Sequence, residues 1–242
     1  MNVITSIDNV KIKELKKLRQ KKYRDMSNKF LVEGIHLVEE AHKSNLLEEI
    51  YVLENSNINM GVRTIYISNK VMKYLSSLES TSMIIGLVRK KENINKLGNK
   101  IMYLDNIQDP GNLGTIIRSS YAFSLDTLII SNDSVDLYND KVIRASQGMI
   151  FRQNILIKDF NFLLDLKNNG YTIYGTDVKK GNNIKDIETN EKSVIIIGNE
   201  GQGIKDSIRN ICDKFIYIDM NKDCESLNAS IAASIIMYEL KD

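Results

Sequence analysis

A run of five residues, Ser193-Val194-Ile195-Ile196-Ile197, breaks into Gly198-Asn199-Glu200-Gly201-Gln202-Gly203, and no other stretch constrains this chain as strongly. Four of the five are Val or Ile, which predicts a buried strand. Three glycines in the next six cannot prolong it. They predict a loop whose backbone can take positive φ and approach a ligand closely. Residues 204–211 then read as a short helix. Strand, glycine loop and helix in this order form a ligand-site shape, and residues 104–119 and 216–238 look built to meet it.

The 242 residues suffice for one large domain or two modest ones, and 43% of them are hydrophobic, enough for a real core. No apolar run is long enough for a membrane span, and the N-terminus has no signal-peptide core, so no membrane partner and a cytoplasmic location are expected. Cys212 and Cys224 are too few for a disulfide framework. With only His36 and His42 beside them, no metal centre is expected.

The net charge of +2 hides an asymmetry. Residues 1–29 hold nine Lys/Arg against three acids, a net +6 on an otherwise mildly acidic chain. This points to a polyanion contact at one end, although a solvated lysine-rich helix face would read the same way.

Residues 8–26 predict one amphipathic helix, with Ile12, Leu15 and Leu18 three apart on one face. Strands are expected at 30–32, 50–53, 64–67 and 82–88. Helices are expected at 35–44 and 70–78, the latter capped by Asn69. This is a small α/β domain, 1–95, ending in the polar linker 89–100. The second domain, 96–242, opens with the strand 101–104. A loop around Pro110, the only proline in the chain, leads to a helix over 113–123. Strands follow at 128–130, 154–157, 172–174, 194–197 and 215–220. Helices follow at 140–149 and 160–168, with a last helix running to about residue 240. On that helix Leu227, Ile231, Ile235 and Tyr238 share one face, and Ala229, Ser230, Ala232 and Ala233 allow close packing.

Three stretches together resemble a known family. Leu104-Asp105-Asn106-Ile107-Gln108-Asp109-Pro110-Gly111-Asn112-Leu113-Gly114-Thr115-Ile116-Ile117-Arg118-Ser119 resembles the first motif of the SpoU (TrmH-like) RNA ribose 2′-O-methyltransferases of the SPOUT superfamily. Ile196-Ile197-Gly198-Asn199-Glu200-Gly201-Gln202-Gly203-Ile204 resembles the second. Residues 216–220 with Glu225-Ser226-Leu227-Asn228-Ala229-Ser230 resemble the third. Residues 8–88 resemble the small RNA-binding domain that many members carry in front.

The resemblance implies an α/β SPOUT domain with a deep trefoil knot, preceded by a small α/β RNA-binding domain. It implies S-adenosylmethionine as cofactor, a homodimer through the last helix, and structured RNA as substrate, with ribosomal RNA expected before tRNA. By motif position it implies Arg118, Asn112, Ser226, Asn228 and Glu200 as catalytic. Gly198, Asn199, Gly201, Ile218, Met220, Ser226 and Leu227 are implied at the cofactor. RNA contacts are expected from Lys16, Lys17, Lys21, Lys22, Arg24, Arg118 and Arg144. A guanidinium does not deprotonate in proteins, so Arg118 is expected to hold the target phosphate rather than accept the hydroxyl proton. Glu200 is expected either to pair with Arg118 or to anchor its loop.

Two rivals stand against this reading. A dinucleotide-binding enzyme would carry Gly-x-Gly-x-x-Gly after its first strand, whereas this loop reads Gly-x-x-Gly-x-Gly and comes late. A non-catalytic RNA-binding protein would have no need of Arg118, Ser226 and Asn228 together.

Overall fold

The computed structural model describes residues 3–80, 82–92, 96–178 and 180–241. In space the chain divides into two units, Met1–Glu92 with Asp136–Arg152, and Asn93–Val135 with Gln153–Asp242.

In the first unit the apolar runs become β1 (Val3–Ile4), β2 (Lys29–Glu33), β3 (Leu47–Leu53), β4 (Arg63–Ile67) and β5 (Ile84–Arg89). They form a mixed sheet in the order β1-β4-β3-β5-β2. Its helices are α1 (Val10–Lys17), α2 (Lys21–Ser27), α3 (Ile35–Lys43) and α4 (Asn69–Leu75), the last capped by Ser68 rather than Asn69. The expected helix over 8–26 is two helices. Leu18, Arg19 and Gln20 close α1 with tight bonds to carbonyls three residues back, and Gln20 then turns extended. The break lets Ile12, Leu15 and Leu18 stay in the core with Val71, Met72 and Leu75 of α4 while Arg19 turns inward.

Arg19 meets the buried Glu33, donates to Asp140 at 2.8 Å, and reaches the Leu75 carbonyl. Glu33 also accepts from Ser76 Oγ at 2.7 Å and from the Ser77 amide at 2.8 Å. Burial pushes the Glu33 carboxyl upward, but these bonds and Arg19 outweigh it and hold the group below its ordinary value. Stability from Glu33 is therefore present above the unfolded carboxylate value, about 4.3, and is lost as pH falls through the lower folded value. Arg19→Ala removes one partner of a buried pair and is expected to destabilise the unit by about 3–5 kcal/mol. It should also move the acid unfolding midpoint, followed by circular dichroism, to higher pH.

The second unit contains β6 (Lys100–Leu104), α5 (Pro110–Ala122), β7 (Thr127–Ile130), β8 (Ile155–Ile157), β9 (Thr172–Thr176), β10 (Asn182–Asn183), β11 (Ser193–Ile197) and β12 (Lys214–Tyr217). α6 (Asp140–Ala145), α7 (Phe160–Asn168), α8 (Asp206–Arg209) and α9 (Ala229–Glu239) complete the list, of which α6 packs elsewhere. Among the described residues the sheet runs β10-β12-β9-β11-β6-β7-β8, and every pair is parallel. All five residues of β11 are buried, as expected of a strand between β9 and β6 covered on both faces. Chain order reverses at β6: β7 and β8 lie to one side, β11 and β9 to the other. In parallel sheets ligands bind beyond the carboxyl ends of the strands near such a reversal.

α5 begins three residues earlier than predicted. Pro110 occupies its first turn, and the Asp109 side chain caps it by accepting from the Asn112 amide at 2.7 Å. α8 is shorter than predicted and β12 ends at Tyr217, so Ile218 and Met220 lie in a loop. α9 packs on α5, with Ser119 Oγ and Ser234 Oγ 2.8 Å apart.

Residues 136–152, expected in the second domain, pack with the first unit. Phe30 lies against the rings of Tyr138 and Phe151, at centroid distances of 4.7 and 6.2 Å. Arg24 pairs with Asp136, and Arg152 with Glu40 at 2.6 Å. Local periodicity carries no sign of this, because every partner lies about a hundred residues upstream. Among the described residues no helix is long and apolar enough to cross a membrane.

Candidate active site

The carboxyl ends of β9, β11 and β12, with the first turns of α9, enclose a cleft of about 440 Å³. Its walls include Gly198, Asn199, Glu200 and Gly201 from the glycine loop, and Ile218, Met220, Ser226 and Leu227 from the segment after β12. Thus every residue expected at the cofactor lines one cleft. Sequence reading missed Thr176, Asp177 and Val178 at the end of β9, and Ala232 and Ile236 on α9. Only their position past an apolar strand or on a helix face could have flagged them.

The glycine loop is closed on itself. The Asn199 amide donates to the Gly203 carbonyl at 3.0 Å and the Gly203 amide returns to Asn199 at 2.9 Å. Two glycines are required for this, Gly198, which is also expected at the cofactor, and Gly203. Gly203 has φ +70°, a left-handed backbone. A Cβ at Gly198 would fall 2.3 Å from the Gly203 carbonyl carbon and 2.4 Å from the Ile204 nitrogen. Gly201 meets no such demand: its nearest neighbour would be Asn199 Oδ1 at 3.7 Å. The Asn199 side chain braces the loop, accepting from the amides of Gly201 and Gln202 at 2.9 and 3.1 Å and donating to the Asn106 carbonyl at 2.8 Å.

A second polar chain joins the three motifs. Asn228 caps α9, its Oδ1 accepting from the Ser230 amide at 2.9 Å, and its Nδ2 donates to Asn112 Oδ1 at 2.9 Å. Asn112 Nδ2 in turn donates to Glu200 Oε1 at 2.9 Å. Each amide thereby has one fixed orientation, and Glu200 anchors this junction instead of pairing with Arg118. Arg118 lies further along α5, exposed, with no hydrogen bond or ion pair among the described residues, and does not line the cleft. Ser226 is exposed on the cleft wall.

Asp105 of the first motif follows directly on β6. It is buried, and its Oδ2 accepts from the Lys205 amide at 2.9 Å, fastening the chain beyond the glycine loop to the first motif. Lys205 Nζ binds Asp133, and that hydrogen bond, the largest influence, raises the ammonium above its ordinary value.

In the first unit the expected RNA contacts divide. Arg24 is buried, bound to Asp136 and to the Leu18 carbonyl, so it is structural. Lys16 donates to the Tyr74 carbonyl, and burial lowers its ammonium below the usual lysine range. The charge count could not foresee this, since the partners lie 112 and 58 residues away. Arg144 is half-buried and donates to Ser77 Oγ at 3.2 Å. Lys21 is exposed but paired with Asp25 at 2.6 Å. Lys17 and Lys22 are exposed without a carboxylate partner among the described residues.

A profile of the SpoU rRNA Methylase family matches residues 99–238, and one of the MRM3-like substrate binding domain matches residues 9–86. The chain is 33% identical over 247 residues, covering 100% of both chains, to the 23S rRNA (guanosine(2553)-2′-O)-methyltransferase RlmP of Bacillus subtilis (strain 168). A solved RNA 2′-O ribose methyltransferase superposes with a TM-score of 0.84 at 27% identity, covering 99% of this chain and 98% of that one. An AdoMet-bound rRNA methyltransferase from Sinorhizobium meliloti gives 0.86 at 24% identity, covering 99% and 97%, a likeness of fold.

Proposed function

We propose, from the premise that this chain belongs to the SpoU rRNA methylase family, that it moves a methyl group from S-adenosylmethionine to a ribose 2′-hydroxyl of ribosomal RNA. The chain is an RNA methyltransferase that uses S-adenosylmethionine. The observation that carries the finer reading is the junction of Asn228, Asn112 and Glu200, which fixes three loops around one cleft.

The cleft fits the cofactor. Its volume lies within the range usual for small-molecule sites, about 300–1,000 Å³. Ile197, Ile218, Leu227 and Ile236 offer an apolar lining, and the loop from Gly198 to Gly203 brings backbone where side chains would intrude. S-adenosylmethionine bound there supplies an electrophilic methyl group.

The chain's own residues then have two tasks, holding the ribose in line and managing one proton. Positioning of this kind is worth roughly 7–11 kcal/mol of a bimolecular barrier. Arg118, exposed and unengaged, is suited to grip the target phosphate with its fork of donors. The braced Asn112 and Asn228, with Ser226 nearby on the cleft wall, orient the nucleotide. The proton leaves through the bound phosphate or water, since the guanidinium does not accept it.

The knot belongs to this proposal. It is supported by the loop after β11 and the segment after β12 lining one cleft. So does a homodimer in the cytoplasm. Ile231 is 49% exposed and Tyr238, although Phe123 and Lys241 pack on its ring, is 53% exposed on α9, an apolar surface that suits a second copy. Ile231→Arg with Tyr238→Arg is expected to yield a monomer in sedimentation; an unchanged dimer would place the interface elsewhere.

The test is transfer of labelled methyl to RNA from cells lacking the protein. Label is expected in 23S rRNA, at the guanosine matching the one that the Bacillus subtilis relative's name specifies. Label in tRNA and not in rRNA would refute the substrate assignment.

A further inference from the structure

A second cleft, of about 460 Å³, lies in the first unit and takes no part in the chemistry above. Its floor is apolar: Leu15 and Leu18 at the end of α1, and Leu87 of β5, each nearly buried. Its rim is of another kind. Tyr23 of α2 is half-exposed, and Met26, one turn on, is a large apolar side chain that is 74% exposed. Lys17 Nζ lies 5.6 Å and Lys22 Nζ 5.9 Å from the Tyr23 ring centroid. Both ammonium groups lack a carboxylate partner among the described residues; Lys17 lines the cleft and Lys22 stands beside its Tyr23 wall, whereas the other lining lysines, Lys11 and Lys29, are held by Glu49 and Glu48. Glu14 also lines the cleft, exposed and without hydrogen bond or ion pair among the described residues.

An apolar slot, an aromatic wall flanked by two free cations, and one free carboxylate call for a flat ring that carries an anion outside and an N–H donor on its edge. An unpaired nucleotide has all three. Single-stranded bases are recognised by stacking on aromatic side chains, and a carboxylate accepts from an exocyclic amino group such as cytosine N4. On the reading that the substrate is RNA, we infer that this cleft binds one unpaired, amino-bearing nucleobase of that RNA. The base stacks on Tyr23 beside Met26, its amino group meets Glu14, and its phosphate meets Lys17 and Lys22. A uracil, whose one edge N–H is flanked by two carbonyl oxygens that repel a carboxylate, meets Glu14 less well.

The test uses the whole protein and fluorescent single-stranded oligocytidylate and oligouridylate, followed by anisotropy at several salt concentrations. Oligocytidylate is expected to bind more tightly, and Glu14→Ala to erase the difference. Tyr23→Ala should weaken binding about 5- to 150-fold, roughly the 1–3 kcal/mol of one base–aromatic stack, while Tyr23→Phe stays near the wild type. Met26→Asp, at an exposed position that folding does not depend on, should weaken it as well. Lys17→Ala with Lys22→Ala should flatten the salt dependence by about 0.7 per lysine. An acid unfolding midpoint of the first unit unchanged in each variant, followed by circular dichroism, serves as the check on folding. Oligonucleotide binding unaffected by Tyr23→Ala and Met26→Asp overturns the assignment, as does an effect of these variants confined to association with a protein. A wild-type protein that transfers no methyl group to RNA refutes the activity proposed above, but the oligonucleotide series still decides the cleft.

Discussion

Arg118→Ala is expected to lower kcat for methyl transfer by about 10²–10³, the loss typical when one charge-stabilising donor is removed from an active site. S-adenosylmethionine affinity should not change, because Arg118 does not line the cofactor cleft. The guanidinium is exposed and engages nothing else in the described chain, so its removal should leave stability unaltered. Arg118→Lys restores the charge but not the planar fork that grips two phosphate oxygens, and should recover little of the rate. Single-turnover kinetics with calorimetry of cofactor binding separates these effects. A lysine variant with near wild-type turnover would contradict the phosphate-gripping role.

The second large effect is expected at Gly198. A single methyl group there would overlap backbone atoms of Gly203 and Ile204, and backbone cannot rotate aside as a side chain can. Gly198→Ala must therefore open the paired loop between Asn199 and Gly203. Overpacking costs typically 1–3 kcal/mol, and a backbone obstacle belongs at the upper end, about a hundredfold in cofactor affinity. Gly203→Ala meets only the conformational cost of a left-handed backbone, about 1–2 kcal/mol. Gly201→Ala should leave the loop's own geometry intact, since only Asn199 Oδ1 lies near. The order Gly198, then Gly203, then Gly201 in calorimetric affinity is the expected result. Greatest sensitivity at Gly201 would mean that cofactor contact, and not loop closure, dominates the site.

The glycine loop also shows how far the sequence could be read. The apolar run of β11 and the glycines after it marked the cleft because burial on both faces and an abrupt stop leave a strong local signature. Which glycines are indispensable depends on the pairing of residue 199 with 203, and spacing does not reveal it. The same holds for Asn112. Motif position placed it at the site, but its bonds to Glu200 and Asn228 join residues 88 and 116 apart in the chain.

The N-terminal charge was legible as a count and misleading as a surface. Lys16 and Arg24 sit in the basic run, yet the fold spends both on internal acceptors. Helix starts shifted for a similar reason. Ser68 and Asn69 suit an N-cap equally, and only the observed dihedrals decide between them, while Pro110 suits a first turn and lets Asp109 cap α5 ahead of the expected start. Residues 136–152 were invisible as part of the first unit because their helix periodicity is the same wherever they pack.

The central claim is that the methyl group lands on a ribose oxygen. Alkaline cleavage of RNA requires a free 2′-hydroxyl, so methylation there leaves one linkage intact when all others break. Ribosomal RNA labelled by the purified protein and S-adenosylmethionine should therefore release its label, after exhaustive alkaline hydrolysis, in an alkali-stable dinucleotide whose 5′ nucleoside is 2′-O-methylated. Label recovered instead in ordinary mononucleotides, carried on a base, would contradict it.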